Sequence, residues 1–203
     1  MSMIISDQVT TVLSPERQLY DWFVEQQWNE ELYLALANNR NALVELSDGK
    51  VVIHVMPTPA HQNVTGNLYA VLRQYGRSGE RGRAYTAPMP VRLWPGKFRE
   101  PDVVYYRAEH LDRIGEEFGD PPDLVAEVLS PSTRGLDTGA KAEEYAMAGI
   151  PEYWLLDPEA QTITVYVLAD GRYRFAALYR SGETARSETL DALTVRVDDL
   201  FQG

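Results

Sequence analysis

The stretch Leu124-Val125-Ala126-Glu127-Val128-Leu129-Ser130-Pro131-Ser132-Thr133 decides the fold, together with Arg99-Glu100-Pro101-Asp102-Val103-Val104 upstream of it. Both contain an apolar run of strand length, and each run carries an acid at its edge or inside it. An acid in a buried strand is costly unless another group pairs with it. Asp102 and Glu127 therefore predict two consecutive strands whose carboxylates share one site.

Strand parity supports a shared site. Because side chains alternate faces along a strand, Asp102 lies on the face of Val104, and Glu127 on the face of Val125. If the two strands are neighbours in register, the carboxylates meet and repel, which favours a cation between them. Oxygen ligands suit Mg²⁺ or Mn²⁺ better than zinc. The alternatives are that Asp102 merely starts a strand after Pro101, and that Glu127 pairs with an arginine.

A lysine on the next predicted helix could complete the site. The chain has three lysines, and Lys50 and Lys97 each follow a turn signal, which predicts turn positions for both. Lys141 alone lies on a predicted helix, where an ammonium group could orient a nucleophile or offset charge on a phosphoryl group. The alternative is a surface lysine paired with Asp137 or Tyr145, one helical turn away.

The order of predicted elements indicates an α/β fold with a mixed sheet flanked by helices on both faces. An N-terminal helical extension, residues 1–40, contains a helix that starts at Ser14-Pro15-Glu16 and ends near Gln27. A second short helix from Glu31 to Asn38 and a hairpin around Asp48-Gly49 follow. The further predicted elements are a helix from Thr58-Pro59 to Gly76, strands at 83–86, 89–94, 102–106 and 123–129, a helix from Asp137 to Ala148, strands at 153–156, 162–168 and 173–179, and a last strand and turn at 193–201.

Length and composition limit the class of protein. A chain of 203 residues predicts a single domain, residues 1–203. Its longest apolar stretches are too short to span a bilayer, so we expect no membrane association. The absence of cysteine and of a secretory leader fits a cytoplasmic protein.

Charge argues against a simple nucleic-acid binder, because the formal net charge is -11. A cluster of arginines in one short region argues in the opposite direction, because it could line a phosphate-facing groove. These arginines are Arg73, Arg77, Arg81, Arg83, Arg92 and Arg99.

Four segments together resemble the Uma2 family, which belongs to the restriction-endonuclease-like nuclease superfamily. The segments are Pro101-Asp102, Glu127 to Thr133, Asp137-(x)3-Lys141-(x)3-Tyr145, and Gly149 to Pro158. The superfamily pattern is Pro-Asp, a spacer and Asp/Glu-x-Lys, but Leu129 occupies the usual lysine position here. Uma2 members take this lysine from the following helix, which corresponds to Lys141.

The resemblance implies a restriction-endonuclease-like core and a role for each site residue. Asp102 and Glu127 would hold Mg²⁺ or Mn²⁺ with help from the carbonyl of Val128, and Lys141 would position or activate water. Further positions that border such sites in the family match Glu45, His61 and Gln62.

The resulting hypothesis is a Mg²⁺-dependent endonuclease that hydrolyses DNA phosphodiester bonds. Glu127→Ala or Lys141→Ala is then expected to abolish cleavage without unfolding the chain. The alternatives are a non-catalytic protein-association module that retains the nuclease fold, and an enzyme acting on a small phosphorylated or nucleotide substrate. Strands between Thr162 and Tyr179 offer an edge for pairing, so we also expect a homo-oligomer, a dimer or higher.

Overall fold

The computed structural model of the protein describes residues 26–39, 43–53 and 56–202. Within these ranges the helices are α1 Glu30–Asn39, α2 Pro59–Arg77, α3 Arg134–Thr138, α4 Ala140–Met147 and α5 Val197–Phe201, with a 3-10 helix at Ala108–Arg113. The strands are β1 Val44–Ser47, β2 Lys50–Ile53, β3 Gly82–Thr86, β4 Val91–Trp94, β5 Lys97–Arg99, β6 Val103–Arg107, β7 Leu124–Val128, β8 Glu152–Asp157, β9 Thr162–Ala169, β10 Arg172–Arg180, β11 Thr184–Arg186 and β12 Thr194–Arg196.

A six-stranded mixed sheet with the order β10-β9-β8-β7-β6-β3 is the centre of the fold. Strands β7 and β8 are parallel, and they are connected through α3 and α4, whereas the other neighbours in this sheet are antiparallel. One face packs against α2 and α5, and the other against α4. The predicted α/β class, with a mixed sheet flanked by helices, is confirmed.

Helix α2 forms where the sequence predicts it. Thr58 caps its first turn by accepting a hydrogen bond from the N–H of His61 at 3.2 Å, and Pro59 occupies the first turn. Its buried residues recur at the four-residue spacing of a single helix face: Val64, Leu68, Leu72 and Gly76. This face packs on β3 and β6, so the start of α2 lies beside the strands that carry the candidate acids.

The predicted hairpin around Asp48-Gly49 is confirmed, and it belongs to a second sheet with the order β2-β1-β5-β4. Strand β5 was not predicted, because Lys97 and Arg99 carry charge and Lys97 follows a turn signal. Pro95-Gly96 therefore closes a β4–β5 hairpin rather than joining the strand at 89–94 to the strand at 102–106. The prediction that Lys97 is a turn residue is wrong, since its side chain is buried in this sheet.

Other boundaries also differ from the predictions. The helix predicted from Ser14 lies outside the described residues, except for Gln26 and Gln27, which are not helical. Gly139 divides the predicted helix at Asp137–Ala148 into α3 and α4, because its backbone leaves the helical region at φ -115° and ψ -102°. In the tail predicted at 193–201, the strand is β12, which pairs with the unpredicted β11, and helix α5 replaces the predicted turn.

Two predictions concern the surroundings of the molecule. Within the described part of the chain, no helix has the length and apolar character needed to cross a membrane. Strand β10 is an edge of the large sheet, whereas β9 is internal. Homo-oligomerisation through this edge and a cytoplasmic location both stay predictions.

Candidate active site

Asp102 and Glu127 lie side by side because of the β6–β7 register. Val103 pairs with Ala126 in this antiparallel ladder, so the next step sets Asp102 beside Glu127. The N–H of Val128 donates to Asp102 Oδ2 at 2.7 Å, and the N–H of Asp102 contacts Glu127 Oε2 at 3.4 Å. Glu127 is 2% exposed, whereas the Asp102 side chain is 19% exposed and lines a cavity. The structure thus brings the two predicted acids together.

Lys141 reaches the same acids from α4, and it is 4% exposed. Its Nζ lies 2.8 Å from Glu127 Oε1, 3.2 Å from Asp137 Oδ1 and 3.7 Å from Glu45 Oε1. The alternative prediction was a surface lysine paired with Asp137 or Tyr145. The contact with Asp137 is present, but Lys141 is buried and not on the surface. Among the described residues, Glu127 pairs with this lysine and not with an arginine.

Tyr145, which the sequence offered only within the quoted motif and as a possible partner of Lys141, belongs to the candidate site. Its hydroxyl donates to Glu127 Oε1 at 2.6 Å, and its ring is fully buried. The signal in the sequence is the four-residue spacing from Lys141, which places both side chains on one face of α4. Glu127 is therefore held by two donors from a single helix.

The electrostatics of this cluster are strongly coupled. Burial raises the pKa of Glu127 above its ordinary value, and Asp102 and Asp137 add to this rise while Lys141 opposes it. Burial lowers the pKa of Lys141, but attraction to Glu127, Glu45 and Asp137 outweighs burial and raises it overall. Lys141 is therefore an ammonium ion at neutral pH, among more carboxylates than it can neutralise.

Glu45 borders the site, as the resemblance implies, and it links the site to the small sheet. Its Oε2 accepts from Arg99 Nη1 at 2.6 Å, and its Oε1 accepts from the N–H of Glu100 at 3.1 Å. Arg99 also donates to both carboxylate oxygens of Glu144 on α4, at 2.7 and 2.9 Å. This buried role of Arg99 was not predicted, because a charged residue at a strand end resembles a surface residue.

Glu100 adds a further acid to the cavity wall. Its carboxylate accepts from the N–H of Val44 at 3.2 Å, and the residue is 6% exposed. Burial, with repulsion from Glu45, raises the pKa of Glu100 to about 8. The site is therefore crowded with acidic groups that a bound cation would stabilise.

His61, rather than Gln62, contacts the predicted metal ligands. Its Nε2 lies 3.2 Å from Asp102 Oδ2, and Gln62 is exposed in a neighbouring cavity. Burial lowers the pKa of His61, but bonds to Asp102 and to the backbone of Val128 outweigh burial and raise it overall. His61 therefore faces two of the three ligands that the resemblance implies.

These residues enclose a cavity of about 310 Å³. Its polar lining includes His61, Glu100, Asp102, Glu127, Asp137 and Lys141. Among the described residues, no group of three or more His, Cys, Asp or Glu side chains is arranged to hold a metal ion. Mg²⁺ needs fewer protein ligands than three, since it commonly binds one or two carboxylates and fills its other coordination positions with water and substrate phosphate. Within the described part of the chain, Asp102 Oδ1 has no hydrogen-bond partner, so this oxygen is available to a cation. The carboxylates of Asp102 and Glu127 therefore fit the predicted ion.

Comparison with known proteins identifies the family. The sequence model of the Uma2 family, described as "Putative restriction endonuclease", matches residues 30–198. The fold is similar to the crystal structure of "a putative nuclease belonging to DUF820" from Anabaena variabilis, with a TM-score of 0.65 and 19% identity over 78% of this chain and 89% of that chain. No curated protein matches the chain. Because the family match covers most of the chain, the protein belongs to the Uma2 family, and its core has the restriction-endonuclease-like fold.

Proposed function

We propose that this protein is a Mg²⁺- or Mn²⁺-dependent endonuclease that hydrolyses DNA phosphodiester bonds. The observation that carries the proposal is the convergence of two carboxylates and an ammonium group, Asp102, Glu127 and Lys141, on one cavity wall. Family membership supports nuclease-like chemistry at this site.

Each residue has a defined part in the proposal. Asp102, Glu127 and the carbonyl of Val128 would hold the ion, which when bound would supply a Lewis acid and lower the pKa of a water molecule. Lys141 and Tyr145 fix the orientation of Glu127 through its Oε1, which leaves Oε2 toward Asp102. The positive charge of Lys141 would also offset negative charge that develops on the phosphoryl group.

A non-catalytic association module is the second candidate. The observation that favours it is the internal saturation of the site, since Glu127 Oε1 already accepts two hydrogen bonds and Asp102 Oδ2 contacts both His61 and Val128. A fold of nuclease descent can retain such a network after losing its ion. Metal binding separates the two candidates without any assumption about substrate.

The first experiment is a calorimetric titration of Mg²⁺ and of Mn²⁺ into the wild type and the Asp102→Asn variant. Asparagine keeps an oxygen that can accept from the N–H of Val128, so the variant should fold normally while losing a charged ligand. We expect binding to weaken by about tenfold or more, since even changes next to a ligand cost about 10–100-fold. Asp157→Asn is the matched control, because it makes the same change at a side chain of 14% exposure outside the cavity.

Nicking of supercoiled plasmid DNA by the same three proteins, in Mg²⁺ and in EDTA, tests the reaction. The proposal requires Mg²⁺-dependent cleavage that Asp102→Asn abolishes and Asp157→Asn preserves. No metal binding at millimolar concentration, combined with no cleavage of DNA, would replace the proposal with the association module.

A further inference from the structure

We propose that a groove between helix α2 and edge strand β3 binds the phosphate backbone of the DNA that enters the active site. This inference rests on the proposed function and extends it from the reacting phosphate to the rest of the substrate. The groove, here called the arginine groove, contains the side chains of Arg73, Arg77 and Arg83. Because the net charge is -11, a local positive surface would counter the repulsion between this protein and DNA.

The arginine cluster of the sequence separates into two sets in the structure. Arg92 lies 3.2 Å from Asp120, Arg99 binds Glu45 and Glu144, and Arg81 lies over the ring of Tyr75, with 5.0 Å to its centroid. These three guanidinium groups therefore have partners within the protein and are less available to a ligand.

The second set consists of Arg73, Arg77 and Arg83, which are exposed. Within the described part of the chain, their side chains form no ion pair or hydrogen bond. Arg73 and Arg77 are also four residues apart on one helix, where like charges repel each other. Three cations without a partner among the described residues, on a protein with excess acid, point to an external anion.

The arginine groove is continuous with the active site. A stripe at four-residue spacing runs along α2 through His61, Thr65, Tyr69, Arg73 and Arg77, next to the buried row of the same helix. His61 and Asp102 line both the active-site cavity and the next cavity along α2. Tyr69 then lines both this second cavity and the arginine groove.

The dimensions and chemistry of this path suit a DNA strand. Arg73 and Arg77 follow His61 by about 18 and 24 Å along the helix, at about 1.5 Å per residue. One DNA strand places a phosphate about every 3.4 Å, so these arginines would contact it about five to seven nucleotides from the reacting phosphate. Glu80 is the one acid among the described residues that line the groove, so the groove remains net positive.

Binding without cleavage provides the test. Anisotropy of a fluorescent DNA duplex is measured against protein in EDTA, for the wild type and for Arg73→Ala/Arg77→Ala, over a range of salt concentrations. Each lost phosphate contact should reduce the salt slope of log K by about 0.9, which corresponds to an affinity loss on the order of 50-fold at 0.1 M salt for two contacts. Arg172→Ala/Arg174→Ala is the matched control, because it removes two exposed arginines from the opposite edge strand, β10.

Several results would overturn the inference. Equal losses in both double variants would mean that overall charge, and not the groove, attracts DNA. Unchanged binding in Arg73→Ala/Arg77→Ala, or equally strong displacement of the duplex by polyglutamate of the same charge, would also overturn it.

The experiments can refute the nuclease proposal and the groove proposal separately. Groove-dependent binding without Mg²⁺-dependent cleavage supports the groove and contradicts the nuclease. Cleavage with unchanged KM in Arg73→Ala/Arg77→Ala supports the nuclease and overturns the groove.

Discussion

Lys141 stabilises the fold as well as the candidate site. It is the cation among Glu127, Asp137 and Glu45, and all four residues are buried. Removing one partner of a buried pair leaves uncompensated charge in the interior. The sequence-based expectation that Lys141→Ala leaves folding intact therefore needs revision, and loss of cleavage in this variant would not by itself identify a catalytic role.

We predict that Lys141→Met lowers the free energy of unfolding by about 3–5 kcal/mol. Adding Glu127→Gln should recover part of this loss, with a coupling of about 0.5–3 kcal/mol, because the second change removes an unpaired carboxylate. Urea unfolding followed by tryptophan fluorescence measures the complete cycle.

The control for this cycle is Lys50→Met, at an exposed position next to the β1–β2 turn, which should change stability by less than about 0.5 kcal/mol. Strict additivity of Lys141→Met and Glu127→Gln would contradict the proposed pairing.

At the scale of elements, the end of β8 is fixed by one carboxylate. Asp157 Oδ1 accepts from the N–H groups of Glu159 and Ala160 at 3.0 and 3.1 Å, and its Oδ2 lies 2.8 Å from Arg134 at the start of α3. The hydrogen bond from Arg134 lowers the pKa of Asp157, the bonds from the two N–H groups add to this effect, and burial opposes it. Asp157 thus joins the β8–β9 turn to α3.

This lowered pKa makes the contribution of Asp157 dependent on pH. Since an unfolded aspartate has a pKa of about 3.9, the stabilisation is present above about pH 4 and is lost as the pH falls through the lower pKa of the folded state. We predict that Asp157→Ala costs about 1 kcal/mol at pH 7, a value that allows for the solvent exposure of Arg134. Asp157→Asn, which keeps the turn acceptor, should cost less.

Urea unfolding at pH 7 and at pH 3 measures this difference. The gap between the wild type and Asp157→Ala should narrow at the lower pH. A gap that stays constant or widens would show that the ionised carboxylate is not what stabilises the turn.

At the scale of the whole molecule, buried ion pairs connect the two sheets. Arg99 and Lys97 project from β5 in the small sheet, and both bind Glu144 on α4, which packs against the large sheet. Glu45 on β1 holds the other side of Arg99. Glu45 also lies 3.7 Å from Lys141, so this connection reaches the candidate active site.

We predict that Glu144→Ala lowers the free energy of unfolding by about 3 kcal/mol, because two buried cations, Lys97 and Arg99, lose a carboxylate that both contact. Local opening should concentrate in the small sheet, which hydrogen exchange would detect as faster exchange in β1, β2, β4 and β5 than in β7 and β8.

The matched control is the adjacent Glu143→Ala, at an exposed position, which should cost less than about 0.5 kcal/mol. Faster exchange spread evenly over both sheets in Glu144→Ala would argue against a local connection.

The sequence by itself determined the elements of the large sheet and the meeting of Asp102 with Glu127. Local patterns were sufficient, because strand parity and capping signals such as Thr58-Pro59 act over a few residues. The sequence also predicted that Lys141 lies on a helix close to these acids, and its Nζ is 2.8 Å from Glu127 Oε1.

Only the tertiary structure decided which charged residues are internal. Lys97, Arg99 and Glu144 appear as surface residues in the sequence, since partners up to 54 positions apart, as in the Arg99–Glu45 hydrogen bond, cannot be paired from a local pattern. The same limit applies to the arginines. Chain proximity suggested one cluster, but folding left Arg73, Arg77 and Arg83 without partners among the described residues and gave the others a carboxylate or an aromatic ring as partner. Side-chain pairing depends on strand order and helix packing, and these are fixed only when the whole chain has folded.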